Sequence, residues 1–314
     1  MENTNENLLI KQKPKCIFIF NPESGQGKLK RNFNFILDTL AKKYGEIELL
    51  KTTHPKHALE FLKENGNKYD YVFASGGDGT LNEIVNGIAE LDKKPIIGYL
   101  PTGTVNDVAR SLKISRNIKK AVKALTDGEV FEHDIFKANN HYGTYVCCSG
   151  LFSISSYKTP RAEKKKFGKI SYFRNGCHEL LRAKPIDVEL QTESEDIKTS
   201  SALVLISNSR STASFLFNKS AILDDGKVDL FIFKSHKKII LMSEVFKVLR
   251  GFMFGVNHLK KNKHIIYRQV SKFKINMKEN TPINIDGEKA FDGSFEFEVI
   301  PKGLKILVPK KHNK

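Results

Sequence analysis

The first half of the chain alternates short apolar runs with segments whose apolar residues recur at three- and four-residue steps. The run CIFIF at Cys16–Phe20 is typical of a buried strand, whereas Leu81, Ile84, Val85 and Ile88 share one helix face. The same criteria predict strands at 16–20, 48–53, 69–74 and 95–100, each followed by a helix. This alternation predicts an α/β domain with a doubly wound parallel sheet, whose ligands bind at the carboxyl ends of the strands.

From about Glu132 the pattern changes to a succession of strands. The predicted strands are 131–138, 143–149, 186–192, 199–207, 228–233, 268–277, 283–286, 294–300 and 304–308. Turn pairs such as Asn139-Asn140, Asp225-Gly226 and Asp292-Gly293 separate several of them. Two helical stretches, 167–181 and 238–254, interrupt the series. The second half is therefore predicted to be a largely antiparallel sandwich or barrel.

The loop SGGDGTLNE connects the third predicted strand to its helix. Its glycines let backbone N–H groups approach a ligand, and the helix N-terminus adds partial positive charge, which together suit a phosphate. Asp78 would repel a bare phosphate but would hold a Mg²⁺ that bridges to one. The loop predicts either a site for a nucleoside triphosphate with its metal or a plain strand–helix turn.

Two further loops lie at the same end of the predicted sheet. NPESG follows the first strand, where it could place Asn21 and Ser24 near a nucleotide or form a simple proline turn. PTGTVND follows the fourth strand, where Thr104 could contact phosphate and Asn106 or Asp107 could cap the next helix. The convergence of three such loops favours a nucleotide site.

A pair of carboxylates, Asp286 and Glu288, lies on a turn after the alternating segment PINI. Such a pair can be solvated without a function. Near a γ-phosphate, one of them could instead take the proton from an attacking hydroxyl. Their spacing does not decide between these alternatives.

The charge of the chain predicts a polyanionic partner. The 314 residues include 52 Lys plus Arg against 35 Asp plus Glu, a net charge of +17, which suits nucleic acid or an anionic membrane. No nucleic-acid-binding motif or aromatic stacking platform is present, so nucleic acid is not expected. Basic clusters beside apolar residues, at 161–173 and 260–268, fit an anionic interface or a solvated face.

The location of the protein is also constrained. The N-terminus lacks a basic region followed by an apolar core, and the apolar runs are too short to span a bilayer. The four cysteines have no metal-type spacing, and adjacent Cys147 and Cys148 are poor disulfide partners, so a reducing cytosol is expected. Membrane contact would then be peripheral, from the cytoplasmic side.

The motifs NPESG, GGDGTLNE, PTGTVNDVAR, LDDGKVD and IDGE, in this order, resemble the bacterial diacylglycerol kinase family, which is related to sphingosine kinases. GGDGT alone is shared with NAD kinases, but PTGTVND and the late DGE make the resemblance more specific. The resemblance spans about Pro14 to Val308. It implies an α/β domain similar to that of NAD kinase at 14–131, joined by the tail 303–314, and a β-sandwich lipid-substrate domain at 132–302.

The resemblance also implies roles for individual residues. The residues expected to line the ATP site are Asn21, Pro22, Ser24, Gly25, one of Thr52 and Thr53, Gly76, Gly77, Asp78, Gly79, Thr80, Asn82, Glu83 and Thr104. Asp78 and Asp107 would organise Mg²⁺ and water beneath the phosphates. Asp225, with the carbonyls of Ile222 and Lys227, would hold a structural Mg²⁺. Either Asp286 or Glu288 would be the general base.

The expected activity is ATP- and Mg²⁺-dependent transfer to a lipid hydroxyl at an anionic membrane surface, giving phosphatidic acid if the acceptor is diacylglycerol. A sphingoid base, phosphatidylglycerol or a polyprenol is an alternative acceptor. An NAD kinase-like enzyme is disfavoured by the PTGTVND loop and the apolar helix at 238–254. A catalytically inactive lipid-binding relative is disfavoured by the intact acidic residues. The resemblance is compatible with a homodimer.

Overall fold

The computed structural model describes residues 13–21, 27–151, 184–236 and 243–310, apart from 245, 247, 249, 252–254, 257–259 and 261. The helices are α1 (Lys28–Tyr44), α2 (His57–Asn65), α3 (Asp78–Ile88), α4 (Asp107–Ser111) and α5 (Ile118–Asp127), with a 3₁₀ turn at Gly66–Lys68. The strands are β1 (Cys16–Phe20), β2 (Ile47–Lys51), β3 (Tyr71–Gly76), β4 (Ile96–Pro101), β5 (Glu129–Ala138), β6 (His141–Gly143), β7 (Val146–Gly150), β8 (Ile186–Gln191), β9 (Asp196–Ser207), β10 (Val228–Lys234), β11 (Ile265–Val270), β12 (Lys272–Asn276), β13 (Pro282–Ile285), β14 (Glu288–Asp292) and β15 (Phe295–Val308).

The first four strands form a parallel sheet in the spatial order β2-β1-β3-β4. β2 pairs with one edge of β1, and β3, the next strand in the sequence, pairs with the opposite edge. This reversal opens a crevice at the carboxyl ends of β1 and β3, the place where doubly wound sheets bind their ligands. The predicted helix face of α3 is confirmed, since Leu81, Ile84, Val85 and Ile88 are all buried.

The second half is built from antiparallel strands around its own core. The path β14-β13-β7-β9-β8-β12-β15 is antiparallel at each pairing, and β10 and β11 extend it from β9. Alternate residues of β9 face different sides, as the period of a strand requires. Val204 and Ile206 pack in the core of this half, whereas Leu203 and Leu205 face the α/β half. The predicted α/β domain followed by a β-sandwich is confirmed.

The strands β5 and β15 connect the two halves. They pair along almost their whole length, from Phe297 opposite Ala138 to Val308 opposite Glu129. β15 pairs with β12 at one end and, through Ile306 opposite Ile97, with the parallel sheet at β4 at the other. A bulge between Ile300 and Leu304 separates the two parts of β15. The chain therefore returns to the α/β sheet at its end, while the predicted boundary at 131/132 stays a prediction.

Some predicted element limits were wrong. The segment 268–277 is not one strand, because β11 ends at Val270 and β12 starts at Lys272. The segments 294–300 and 304–308 are one strand, β15, because the bulge keeps both parts paired with β5. The sequence prediction also lacked α5 and β14. The predicted helix at 167–181 lies outside the described residues, and the described positions within 243–251 are helical.

No helix within the described ranges is both long and apolar enough to cross a membrane.

Candidate active site between the two halves

Two of the three predicted loops are in direct backbone contact. The N–H groups of Thr102 and Gly103 donate to the carbonyl of Gly76 at 2.9 and 3.1 Å. A Cβ atom on Gly103 would lie 2.4 Å from the Cα of Gly77, so only glycine fits there without moving the loop. The loops that follow β3 and β4 therefore form one continuous surface at the N-terminus of α3.

Asp78 connects the same two loops through its carboxylate. Its Oδ2 accepts from the N–H of Asn106 at 2.7 Å, and its Oδ1 lies 3.5 Å from the N–H of Val108. Asp78 therefore caps α4, and the expected cap by Asn106 or Asp107 was wrong. The Asn106 amide is instead bonded to Tyr99 and to the Gly103 carbonyl, so it is not available as a cap. Burial, with a smaller contribution from the Asp107 charge, raises the pKa of Asp78 to about 7.

Asp107 reaches across to the second half of the chain. Its side chain is buried, and Oδ1 accepts from the Ser211 hydroxyl at 2.6 Å and from the Ser214 N–H at 2.9 Å. Oδ2 has no hydrogen-bond partner among the described residues. Burial raises the pKa of Asp107, and the bonds from Ser211 and Ser214 oppose that rise. One oxygen is thus fixed to the protein, while the other is left without a partner in the described part of the chain.

Asp286 is surrounded by donors. Its carboxylate accepts five hydrogen bonds of 2.8 to 3.1 Å: from the Asn82 amide, the Thr144 N–H and hydroxyl, and the N–H groups of Tyr145 and Val146. Asn82 belongs to α3 and the other donors to the β6–β7 segment, so this carboxylate joins the two halves. Burial raises the pKa of Asp286, and the Tyr145 and Thr144 bonds oppose that rise.

Asp286 and Gly287 are the two central residues of the β13–β14 hairpin, where Ile285 pairs with Glu288. Their φ values of 51° and 88° are those of a type I′ turn, for which Asp-Gly is a preferred pair. The turn exposes Glu288 at the first position of β14. A Cβ atom on Gly79 would lie 3.7 Å from Glu288 Oε1, so this carboxylate reaches the N-terminus of α3.

These residues line a cleft of about 230 Å³ between the two halves. Its polar lining includes Asp78, Gly79, Thr104, Asp107, Asp286 and Glu288. Its apolar lining includes Val105, Tyr145, Val146, Leu151, Leu203 and Leu205. The cleft thus combines a carboxylate-rich part with an apolar part, to which β7 and β9 and the residues flanking them contribute.

Other predicted site residues serve as local supports. Thr53 follows β2, and both its N–H and its hydroxyl contact His57 Nδ1, at 3.2 and 3.3 Å. The carboxylate of Glu83 accepts from the Lys56 N–H at 3.0 Å, which fixes the start of α2 to α3. Thr80 lies against Gly76, where an added Cβ would meet the Thr80 side chain at 2.3 Å.

The remaining predicted residues lie elsewhere or outside the described part. The backbone N–H of Asn21 donates to the Ser75 carbonyl at 3.4 Å, beside the central loop. Pro22, Ser24 and Gly25 lie outside the described residues. Asp225 is exposed and its Oδ1 accepts from the Lys227 N–H at 3.1 Å, away from the cleft. Ile222 is exposed in the same segment, and the structural Mg²⁺ there stays a prediction.

The cleft residues fit a Mg²⁺ that is shared with a phosphate group. No three His, Cys, Asp or Glu side chains converge as a metal cage in the described ranges. Mg²⁺ beside a nucleotide needs only one or two carboxylates, because phosphate oxygens and water complete its octahedron. The unpartnered Oδ2 of Asp107, close to Asp78, would supply such a ligand directly or through water.

Several cleft residues carried no recognised signal in the sequence. Leu203 and Leu205 were assigned to a strand, but their side toward the cleft was not predicted. The segment 211–214, which bonds Asp107 through Ser211 and Ser214, has no motif of its own. A run of small polar residues between two strands was the available signal, and only the fold shows that those residues are buried and what they contact.

Two family models match the chain. Residues 15–138 match the diacylglycerol kinase catalytic domain, and residues 149–308 match the YegS C-terminal NAD kinase beta sandwich-like domain. Diacylglycerol kinase of Bacillus subtilis (strain 168) is 30% identical over 296 residues, which cover 93% of this chain and 96% of that protein. Diacylglycerol kinase of Staphylococcus haemolyticus (strain JCSC1435) is 31% identical over 299 residues, which cover 94% of this chain and 89% of that protein.

Solved structures agree with these sequence matches. A crystal structure of a diacylglycerol kinase from Bacillus anthracis str. Sterne superposes with a TM-score of 0.78 at 25% identity. The superposition covers 95% of this chain and 98% of that chain, so it includes both halves and the cleft between them.

The raised pKa of Asp78 predicts how stability depends on pH. Between about pH 4 and 7, folded Asp78 holds a proton that unfolded Asp78 releases, so this residue makes stability fall as pH rises through that window. In Asp78→Asn this contribution is absent, so we expect the metal-free variant to lose less stability than the wild type between pH 5 and 7. Urea unfolding in a chelating buffer measures the difference.

Asp38→Asn, a change at an exposed residue of α1, is the control and should follow the wild type. Equal pH dependence of Asp78→Asn and the wild type would show that the pKa of Asp78 is not raised.

Proposed function

Because the chain belongs to the diacylglycerol kinase family, and is thus a lipid kinase, we propose that it transfers the γ-phosphate of ATP to the free hydroxyl of diacylglycerol, forming phosphatidic acid. The observation that carries this proposal is the composition of the cleft. One part is lined by carboxylates and by Gly79 in the first turn of α3, and the adjoining part is apolar. A nucleotide and a lipid hydroxyl can meet only where both environments adjoin.

The phosphates of ATP are proposed to bind at the start of α3. The loop of Gly76, Gly77 and Gly79 presents backbone N–H groups there, and the dipole of α3 favours negative charge. Thr104 lines the same cleft and is exposed, so its hydroxyl is available to a phosphate oxygen. Thr53 and Asn21 lie at the ends of the neighbouring strands and are proposed to contact the nucleoside.

Mg²⁺ would be held by Asp107 and Asp78. When bound, it neutralises charge that develops on the transferring phosphoryl group. A cation would favour the ionised forms of both carboxylates, because burial raises the pKa of Asp78 and of Asp107 and the Asp107 charge adds to the rise at Asp78. The Arg110 charge lowers the pKa of Asp107 without offsetting the effect of burial. Asp78 also keeps α4 in place, since it caps the first turn of that helix.

Glu288 is proposed to be the general base. A carboxylate has about four acceptor positions, and the five donors around Asp286 fill them, so Asp286 has little capacity to accept a proton from a substrate. Glu288 is exposed and lies beside Gly79. It can take the proton of the lipid hydroxyl as the oxygen attacks the γ-phosphate. Asp286 instead holds the turn that presents Glu288.

The protein is proposed to act from the cytoplasmic side of an anionic membrane. In addition to the net charge of +17, the segment 216–227 has exposed apolar and basic side chains. Leu216 and Ile222 are 47% and 56% exposed, and Lys219 and Lys227 are exposed between and after them. This composition suits an interface where apolar side chains enter the headgroup region and lysines meet anionic lipids. The basic cluster at 161–169 lies outside the described residues, and the homodimer stays a prediction.

The acceptor is tested by transfer of labelled γ-phosphate from Mg-ATP in mixed micelles. The panel contains diacylglycerol, monoacylglycerol, phosphatidylglycerol, sphingosine, undecaprenol and NAD. We expect label in diacylglycerol, and loss of transfer in Asp78→Ala. Label only in NAD would contradict the lipid acceptor, and label only in another lipid would replace diacylglycerol.

The assignment of the base predicts different effects at the two carboxylates. Glu288→Gln should lower kcat by about 10²–10⁴-fold, because it removes proton transfer, while ATP binding and thermal stability stay unchanged. Asp286→Asn should lower the free energy of unfolding by about 3 kcal/mol, because the amide leaves buried donors unpaired at roughly 1–3 kcal/mol each. Kinetics and urea unfolding measure the two effects.

Glu298→Gln, at an exposed position of β15, is the matched control and should retain wild-type activity. If Glu288→Gln turned over at the wild-type rate, Glu288 would not be the base.

Membrane contact is tested by sedimentation with vesicles of phosphatidylglycerol and phosphatidylcholine. We expect binding at low salt that falls as salt rises, because the electrostatic part is screened. The double variant Leu216→Ser, Ile222→Ser should bind less than the wild type. Leu49→Ser, at a 51% exposed residue of β2, is the control. Equal binding of the double variant and the control would exclude the segment 216–227.

A further inference from the structure

A short turn in the second half has an unfavourable backbone conformation. Thr212 and Phe215 bond each other's backbone at 2.9 and 3.0 Å, so Ala213 and Ser214 are the central residues of the turn. Their φ values are 51° and 67°, in the left-handed region at both positions. Asn-Gly or Asp-Gly is preferred in such a turn, because other side chains bring Cβ close to a carbonyl oxygen. Ala-Ser therefore needs support from its surroundings.

The support comes from α4 in the α/β half. Asp107 Oδ1 accepts from the Ser214 N–H and the Ser211 hydroxyl. Ser111, one helical turn after Asp107, lies 2.6 Å from the Ser209 hydroxyl and accepts from the Ser211 N–H at 3.1 Å. All of these serines are buried. The turn is therefore fixed relative to the same carboxylate that faces the cleft.

The first residue of this turn, Thr212, lines the cleft together with Asp107, Leu203 and Leu205. Its side chain is buried, with 6% exposure, and its hydroxyl oxygen has no hydrogen-bond partner among the described residues. A buried hydroxyl without a partner is unfavourable and uncommon, so its retention needs a reason. The backbone groups of Thr212 are used in the turn, which leaves the hydroxyl as the group that a ligand in the cleft could satisfy.

We propose that Thr212 binds the acceptor lipid, its hydroxyl forming a hydrogen bond with the glycerol oxygen or ester carbonyl next to the reacting hydroxyl. A threonine hydroxyl both donates and accepts, so it suits either group. The apolar side chains of Leu203 and Leu205 in the same cleft receive the start of the acyl chain. This inference rests on the proposed function for the identity of the acceptor. In this proposal, the turn at 212–215 recognises the polar part of the acceptor lipid.

Thr212→Val tests the proposal, because valine keeps the shape of threonine and removes only the hydroxyl. With dioctanoylglycerol in mixed micelles, we expect the KM for the lipid to rise about three- to tenfold, which is the loss of one hydrogen bond. The KM for ATP should stay within about twofold. Thr212→Ser, which keeps the hydroxyl, should restore the wild-type KM for the lipid. Equilibrium binding of dioctanoylglycerol without ATP should weaken by the same factor.

Ser200→Ala is the matched control. Ser200 is also a buried residue whose hydroxyl has no partner in the described part of the chain, but it does not line the cleft. We expect this variant to keep the wild-type KM for both substrates. An unchanged KM for the lipid in Thr212→Val would overturn the proposal. A parallel rise in both KM values with a lower melting temperature would also overturn it, since that pattern marks a structural role.

The experiment separates this inference from the proposed function. If the wild type phosphorylates no lipid but binds dioctanoylglycerol, and Thr212→Val weakens that binding, the site stands and the proposed reaction fails. If the wild type phosphorylates dioctanoylglycerol and Thr212→Val does so with the same KM, the reaction stands and the site fails.

Discussion

The arrangement of the site depends on the buried carboxylate of Asp286. Its five donors come from α3 in one half and from the β6–β7 segment in the other, so one charge fixes two separately built parts. A buried carboxylate is tolerated only when its oxygens are hydrogen-bonded, and each of these donors would be unpaired without it. The position of Glu288 relative to the glycine loop follows from this set of bonds.

Asp107 makes a second connection between the two halves, with the carboxylate and its donors on the opposite halves from those at Asp286. Here the carboxylate belongs to the α/β half, and the donors Ser211 and Ser214 belong to the second half. The ribbon of β5 and β15 joins the same halves covalently and through its long antiparallel pairing. The two halves that line the cleft are therefore joined at Asp286, at Asp107 and along β5 and β15, and these contacts limit how far the halves can move apart.

Electrostatics explains why the site suits a cation and a phosphate together. Burial raises the pKa of Asp78, Asp107 and Asp286, and the charges of the other two carboxylates add to the rise at Asp78. A divalent cation would stabilise their ionised forms, and the N-terminus of α3 would favour a phosphate bridged by that cation. These groups are already oriented by their hydrogen bonds, so little reorganisation is needed when substrates bind.

The sequence by itself determined the α/β domain, the strand-rich second half and the loops at the strand ends, because periodicity and glycine chemistry are local properties. It predicted that Asp78, Asp107, Asp286 and Glu288 belong to the functional site. It did not predict that Asp78 caps α4 or that Asp286 is enclosed by donors. The continuity of β15 was also missed, since a bulge is decided by the partner strand, and the break between β11 and β12 was missed as well. Only the tertiary structure placed Thr212, Leu203 and Leu205 in the cleft and Ser211 against Asp107, because the residues they meet on α4 lie about a hundred positions away in the sequence, where no local pattern reports on them.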